Sequence, residues 1–251
     1  MYRKGGVLLA QLAIVALVLA LWEWASRSEL IDPLLFGRPS EVAKEFFDYV
    51  PSEHGLESLR ATGIAVALAF VIGSVAGTLA GLVLGLSKTL DDIFGPFLVP
   101  LNSIPRIALA PLFIAWFGLT TTAKVVLAVT IVFFILAENA RSAVRSVDHD
   151  LMTMARVVGV RRAGMLWKVV LPSAVPTMFA GLRLTFTYSL LGVIASEMIA
   201  ATSGIGQDIV LYSSGYQINI VFAIIIELVL VAVVLNTCFR MAERYLLRWQ
   251  R

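Results

Sequence analysis

Chemistry in a protein needs nucleophiles, proton carriers or metal ligands at workable spacing, and this sequence supplies few of them. It has two histidines, His54 and His149, both in predicted loops, with no cysteine beside them and no ligand-like spacing. Its one cysteine, Cys238, cannot form an internal disulfide. No Ser-His-Asp arrangement is suggested, so no catalytic residue and no metal ligand is assigned. The stretch Gly81-Leu-Val-Leu-Gly85-Leu-Ser-Lys88-Thr89 has a glycine-rich look, but its lysine does not directly follow the glycine as a phosphate-binding loop requires. No other segment offers a nucleotide cradle. If ATP drives this protein, another polypeptide binds it; the expectation is a non-enzyme with no cofactor of its own.

What remains are polar side chains set in long apolar runs. Asn102, Ser103 and Arg106 stand among prolines that leave backbone carbonyls unpaired. Arg183, Thr187 and Glu197 fall on one side of a helix at about 100° per residue. Ionisable groups in a membrane span are costly and usually face the bundle interior or a water-filled cavity. These six residues are therefore expected to line a solute pathway, and two arginines among them are compatible with anionic cargo. Glu138 and Glu227 are weaker candidates that fit helix packing as well.

The composition says what must position them. Hydrophobic residues make up 59% of the 251, charged residues only 15%, and the mean hydropathy is +0.88. Soluble domains carry roughly 25% charged residues. Disorder, a fibre and a disulfide scaffold are excluded, and the basic residues behind the net charge of +3 are too dispersed for nucleic acid. A helix needs about 20 mostly apolar residues to cross a bilayer, and six runs qualify: 7–25, 61–87, 93–119, 121–140, 173–201 and 218–239. The first lacks a convincing cleavage site and is read as a retained helix. The expected fold is an all-α integral membrane bundle of six spans, with 1–251 as one domain.

Basic residues set the orientation. With both termini and the second and fourth connections inside, thirteen Lys/Arg lie on that side and five (Arg27, Arg38, Lys44, Arg60, Lys124) on the other. Both termini are therefore expected in the cytoplasm. In the long first external connection, Val42, Ala43, Phe46, Phe47 and Val50 share one face of a short amphipathic helix, which lies either at the outer interface or against its own protein. Gly73, Gly77, Gly81 and Gly85 form a smooth ridge for close helix packing.

The connection 141–172 is the most informative. It holds six basic residues against Asp148 and Asp150. Asp150 to Val158 reads as a helix, Gly159 as a break, Arg161 to Val170 as another helix, and Pro172 as the return to the membrane. A helix-glycine-helix lobe suits a groove on a partner. Thr153-Met154-Ala155-Arg-Val-Val-Gly159, followed by Val169-Val-Leu171-Pro172, resembles the cytoplasmic signature of bacterial ABC importer permeases: Glu-Ala-Ala, three residues, Gly, nine residues, Ile, one residue, Leu-Pro. All spacings are kept, with Thr153 for the glutamate, Met154 for the first alanine and Val169 for the isoleucine. Gly37-Arg-Pro39-Ser40-Glu41-Val42, the segment Pro105 to Gly118, Val144-Arg-Ser-Val147-Asp148, Ala195-Ser-Glu197-Met198 and Ser203-Gly-Ile-Gly206 are similar to the nitrate/sulfonate/taurine branch of that family.

The resemblance implies a type I importer-like permease in a bacterial inner membrane. It implies a second permease chain (a homodimer is the first expectation), cytoplasmic ATPases that hold ATP-Mg, and an external substrate-binding protein. Cargo in the branch spans small oxyanions such as nitrate, sulfonates including taurine, and vitamin precursors. Coupling to the ATPase would then run through Thr153, Met154, Ala155, Arg156, Gly159, Arg161, Arg162, Leu171 and Pro172. A secondary transporter is the runner-up, but no inverted repeat is detectable.

Overall fold

The computed structural model describes residues 2–160 and 162–246, and the long elements among them are all helical. In chain order the α-helices are α1 (Tyr2–Arg27), α2 (Pro33–Phe36), α3 (Pro39–Tyr49), α4 (Glu53–Leu86), α5 (Lys88–Ser103), α6 (Ala110–Phe117), α7 (Thr121–Arg145), α8 (His149–Val157), α9 (Arg162–Met165), α10 (Leu171–Ile199), α11 (Ile205–Ser214) and α12 (Ile218–Leu246). A 3-10 turn occupies Arg106–Leu109 and a π turn Leu166–Val170. Among the described residues five helical stretches are long and apolar enough to cross a membrane, and α5 with α6 makes a sixth if the bent pair counts as one span. The chain forms two compact units, Met1–Leu59 with Asp208–Val231, and Arg60–Gln207 with Ala232–Arg251.

Prolines account for the largest departure from the sequence reading. The run 93–119 is not one helix: α5 and α6 meet at 82°. Ile104 is held extended (ψ 129°) before Pro105, as steric conflict with a following proline ring favours. Pro111 lies in the first turn of α6, where its missing N–H costs nothing. The expected helix from Arg161 to Val170 is also different. Its described part, from Arg162, runs through the π turn into α10 without a break. Pro172 has no N–H for the Lys168 carbonyl and its ring crowds that oxygen; the widened turn relieves both problems. α4 begins eight residues before the apolar run, and its 34 residues measure about 50 Å, well beyond a hydrocarbon core. Glu53, His54, Glu57 and Arg60 form the polar extension.

In the second unit the glycine ridge of α4 lies on α7. A methyl group on Gly73 would meet Val132, on Gly77 the Phe133 carbonyl, on Gly81 the Ala137 carbonyl, and on Gly85 Val144. Backbones approach this closely only where side chains are absent. Ala65, Val66 and Ala69 of α4, Val125 and Ala128 of α7, and Phe186 and Val193 of α10 make the adjoining core. Phe239 of α12 closes it, 4.9 Å from Phe186 between ring centroids.

In the first unit the segment after α2 is clamped to α1 and α12. Glu23 accepts from the Ser40 amide (3.0 Å) and hydroxyl (2.8 Å), and Ser26 donates to the Gly37 carbonyl at 2.9 Å. Asn219 accepts from the Arg38 amide and donates to Glu41 at 2.6 Å. Gly37 has φ +66°, and a Cβ there would overlap the Asn219 amide. The Gly37–Glu41 motif is therefore a structural clasp. α3 buries Val42 and Tyr49 with Phe46 half-buried, whereas Ala43 is exposed and Phe47 is 74% exposed. The helix packs on its own unit through a narrower stripe than the five-residue face expected.

Candidate functional site

The second unit contains an open cleft of about 410 Å³. α7 contributes Ile131, Ile135, Glu138 and Asn139 at spacings that keep them on one helix face. α10 contributes Leu184 and Tyr188 one turn apart, and the break between α5 and α6 contributes Asn102 and Arg106. Interrupted backbone at membrane depth is tolerated where it is buried in protein or lines a cavity, and here it borders one.

Arg106 is the cleft's distinctive group. It is 9% exposed, its guanidinium donates to the Asn102 carboxamide oxygen (3.2 Å) and the Leu101 carbonyl (2.8 Å), and it sits 4.6 Å from the centre of the Phe134 ring. Every one of these partners is uncharged, and no ion pair to Arg106 occurs among the described residues. The arginine is held and oriented but not neutralised. Glu138, by contrast, accepts from Arg141 at 3.1 Å, and Arg141 also grips Asp91, which Arg145 reaches as well.

The other residues expected on a pathway have different surroundings. Glu197 is enclosed (1% exposed) and pairs with Lys124 at 3.0 Å. Its carboxylate also accepts from the Thr62 hydroxyl (2.9 Å) and the Gly206 amide (3.0 Å). Lys124 donates onward to the Ser203 carbonyl at 2.5 Å, and the Ile205 amide donates to Thr62 at 2.9 Å. Gly204, at φ +111°, leaves no room for a Cβ beside the carboxylate. Arg183 pairs with Glu243 of α12. Thr187 is half-buried, and Ser103 is exposed with its hydroxyl donated to the Val99 carbonyl at 2.9 Å. The Arg183–Thr187–Glu197 stripe therefore does not join Asn102 and Arg106 at the cleft.

The first unit has a buried cluster that the sequence did not disclose. Asp208 accepts from the Tyr49 hydroxyl at 2.6 Å and lies 3.1 Å from His54 Nε2. His54 occupies the first turn of α4, not a loop. Burial, then the bond to Asp208, pushes the Tyr49 hydroxyl well above the usual tyrosine range. Glu227 is buried here too, and its carboxylate oxygens have no hydrogen-bond partner among the described residues.

The lobe after α7 has its own geometry. α7 continues to Arg145, so the lobe proper begins there. Asp148 caps α8 by accepting from the Asp150 amide at 2.8 Å. At the far end the Val160 amide donates to the Ala155 carbonyl (2.9 Å) and the Gly159 amide to the Arg156 carbonyl (3.0 Å). This is a Schellman motif with Gly159 at its left-handed position, φ +86°. Val157 and Val158 are each 82% exposed, Met154 is 65% exposed, and Thr153 and Arg156 also face outward. Ala155, Leu171 and Pro172 are half-buried. A groove of about 470 Å³ runs between α8 and the π turn, lined by Leu151, Met154, Val160, Lys168, Val169 and Pro172 among others. Arg161 lies outside the described residues, as does the side chain of Arg162.

The family model for binding-protein-dependent transport system inner membrane components matches residues 61–251. The chain belongs to this family. The permease is 30% identical over 239 residues to the putative aliphatic sulfonates transport permease protein SsuC of Bacillus subtilis (strain 168), covering 95% of this chain and 87% of the relative. It is 28% identical over 240 residues to the taurine transport system permease protein TauC of Escherichia coli (strain K12), covering 94% and 87%. In fold it matches the crystal structure of a bacterial ABC transporter involved in the import of the acidic polysaccharide alginate, with a TM-score of 0.67 at 17% identity over 97% of this chain and 96% of that one. It is thus a multi-pass permease subunit of an ABC importer.

Several key residues of the permease were invisible to sequence reasoning for a common reason. Lys124 counted only as one external positive charge, because nothing in sequence pairs it with a glutamate 73 positions away. Asp91 sat in a connection between spans. Asn139 and Tyr188 carry no charge to flag them within apolar helices. Glu138 was noticed, and its i, i+7 relation to Ile131 on the inner face of α7 was the available signal for the cleft.

Proposed function

We propose that this permease works with a second, identical chain, with separate cytoplasmic subunits that bind and hydrolyse ATP-Mg, and with an external binding protein that delivers cargo. The setting is a bacterial inner membrane with both termini in the cytoplasm, which the excess of Lys/Arg on one side supports. The observation that carries the reading is the α8 lobe: a short helix fixed at both ends that presents Met154, Val157 and Val158 outward above an apolar groove. Exposed apolar side chains on a rigid, basic lobe suit a partner groove. Coupling needs a contact whose energy differs between ATPase states, and the continuous run from the π turn into α10 can pass movement into the membrane.

Of the six residues considered for the pathway, Asn102 and Arg106 are assigned to it, with Ser103 at its edge. Arg183, Thr187 and Glu197 are assigned to packing. The names of the sulfonate and taurine relatives, together with an arginine that has no carboxylate partner among the described residues, support a small organosulfonate or similar anion as cargo. Gly159→Val tests the coupling assignment. It places a β-branched residue at φ +86°, where open space surrounds the position but the backbone is strained. Uptake and stimulated ATPase activity should fall while the permease still assembles with its ATPase in detergent. Unaltered uptake and stimulation would overturn the assignment.

A further inference from the structure

We propose that Asp91 is a positioning residue through which the lobe holds α5, giving lobe movement a second route to the cleft beside the run from the π turn into α10. This rests on the coupling reading of the lobe. Asp91 stands in the first turn of α5 and is 3% exposed. Two arginines from the end of α7 meet it, and they meet it differently. Arg141 grips both carboxylate oxygens, with Nε donating to Oδ1 and Nη2 to Oδ2 at 3.2 Å. That side chain is largely enclosed. Gly95, one turn along α5, makes room for it: a Cβ there would lie 2.8 Å from the Arg141 guanidinium. Arg145 also reaches Oδ2, but its side chain is 44% exposed.

The difference makes the second contact breakable. A buried carboxylate stripped of its cation is strongly destabilising, but Asp91 without Arg145 keeps the two-point grip of Arg141. The Arg145 contact can therefore form in one state and open in another while the buried charge stays paired. A contact that reports the ATPase state must have that property. Both of its ends lead somewhere. Arg145 is the last residue of α7 and lies between Val144 and Val147, which pack with Val170 at the root of the lobe. Met152 of α8 and Met165 of α9 lie against that cluster. On the other side, Asn102 stands eleven residues beyond Asp91 on the same helix, about 16 Å along its axis. Asn102 lines the cleft and accepts from Arg106. A shift of the lobe root that makes or breaks the Arg145–Asp91 contact thus acts on the helix that carries Asn102.

The test uses the permease–ATPase complex in lipid nanodiscs and needs no cargo. Spin labels would be placed at Val75 of α4 and Val99 of α5, both exposed, through cysteines in a Cys238→Ser background. Pulsed electron paramagnetic resonance would measure the distance between them without nucleotide and with ADP-Mg-vanadate trapped in the ATPase. The glycine ridge locks α4 on α7, so this distance follows α5. With all other residues native, trapping should populate a second distance. In Arg145→Gln that population should fall at least about five-fold, the lower end of usual coupling between sites, with the thermal unfolding midpoint unchanged. Arg145→Lys keeps the charge and should keep the population. Asp91→Asn should match Arg145→Gln, and the double variant should lose no more than either, because both remove one contact. Only labelled, assembled complexes enter the readout, so partial loss of folded protein does not alter it. A population unmoved in Arg145→Gln, or losses that add in the double variant, would overturn the role of Asp91. So would the lack of a second distance in the parent. Gly159→Val separates the two readings. If it loses the second distance while Arg145→Gln keeps it, only the inference falls. If it keeps both the second distance and full ATPase stimulation, the lobe reading falls and the inference with it.

Discussion

The Glu197 hub and the Arg106 cleft both hold a charged side chain within membrane-spanning sequence, and they differ in what surrounds it. Glu197 meets a lysine, a hydroxyl and a backbone amide, in a space closed so tightly that Gly204 admits no Cβ. Arg106 meets neutral oxygens and an aromatic face, and it borders about 410 Å³ of open volume. A buried charge is tolerated when it is paired and hydrogen-bonded. The hub satisfies that condition by itself, whereas Arg106 has no carboxylate partner among the described residues. Burial and charge are shared by both sites; completeness of the partner set separates them, and on the proposed reading an anionic solute completes the second.

Lys124→Met should have the largest effect on stability. It leaves Glu197 buried without its cation, a loss of about 3–5 kcal/mol for a broken buried pair, read as a lower thermal unfolding midpoint in detergent. The double variant Lys124→Met/Glu197→Leu should recover a large part of that loss. No recovery would mean that Glu197 acts through something other than its pair, and the comparison would break.

Gly204→Ala probes the same hub from the loop side. Left-handed strain and overlap with the carboxylate together should cost roughly 2–3 kcal/mol, again measurable by thermal unfolding. A stability equal to wild type would show that the loop from Ala200 to Gly206 is not held as tightly as its hydrogen bonds indicate. Arg183→Gln should do least. Its pair with Glu243 is partly exposed, and such pairs contribute about 0–1 kcal/mol. Uptake should also be retained, and a loss of uptake with intact assembly would return Arg183 to the pathway.

The spans, the lobe and Gly159 were legible in the sequence because each is written locally. Apolar runs of bilayer length mark helices wherever they pack, and a glycine after a short helix marks a left-handed turn. The ridge from Gly73 to Gly85 was legible for the same reason, since four-residue spacing puts all four on one face before any partner is known. The 82° bend was half-written: Pro105 and Pro111 were seen, but hydropathy alone joined the two helices they separate. Roles within the apolar segments were not legible. Arg106, Arg183 and Glu197 look alike in sequence, and only the identity of their partners (Asn102 and Phe134, Glu243, Lys124), most of them distant in the chain, tells them apart. Helix periodicity placed Arg183, Thr187 and Glu197 on one stripe; it could not tell that two of them have carboxylate or ammonium partners on other helices.

The central claim is that the charge of Arg106 serves the solute and not the fold, and Arg106→Gln tests it most directly. Uptake by the assembled transporter and the thermal unfolding midpoint would be measured on the same preparation, beside Lys124→Met. Replacing a buried charge that lacks a counter-ion with a neutral residue should leave stability unchanged or slightly raised, while uptake falls at least about ten-fold, one lost charge contact in transit. Uptake at the wild-type rate, or an unfolding midpoint lowered as far as that of Lys124→Met, would contradict the claim.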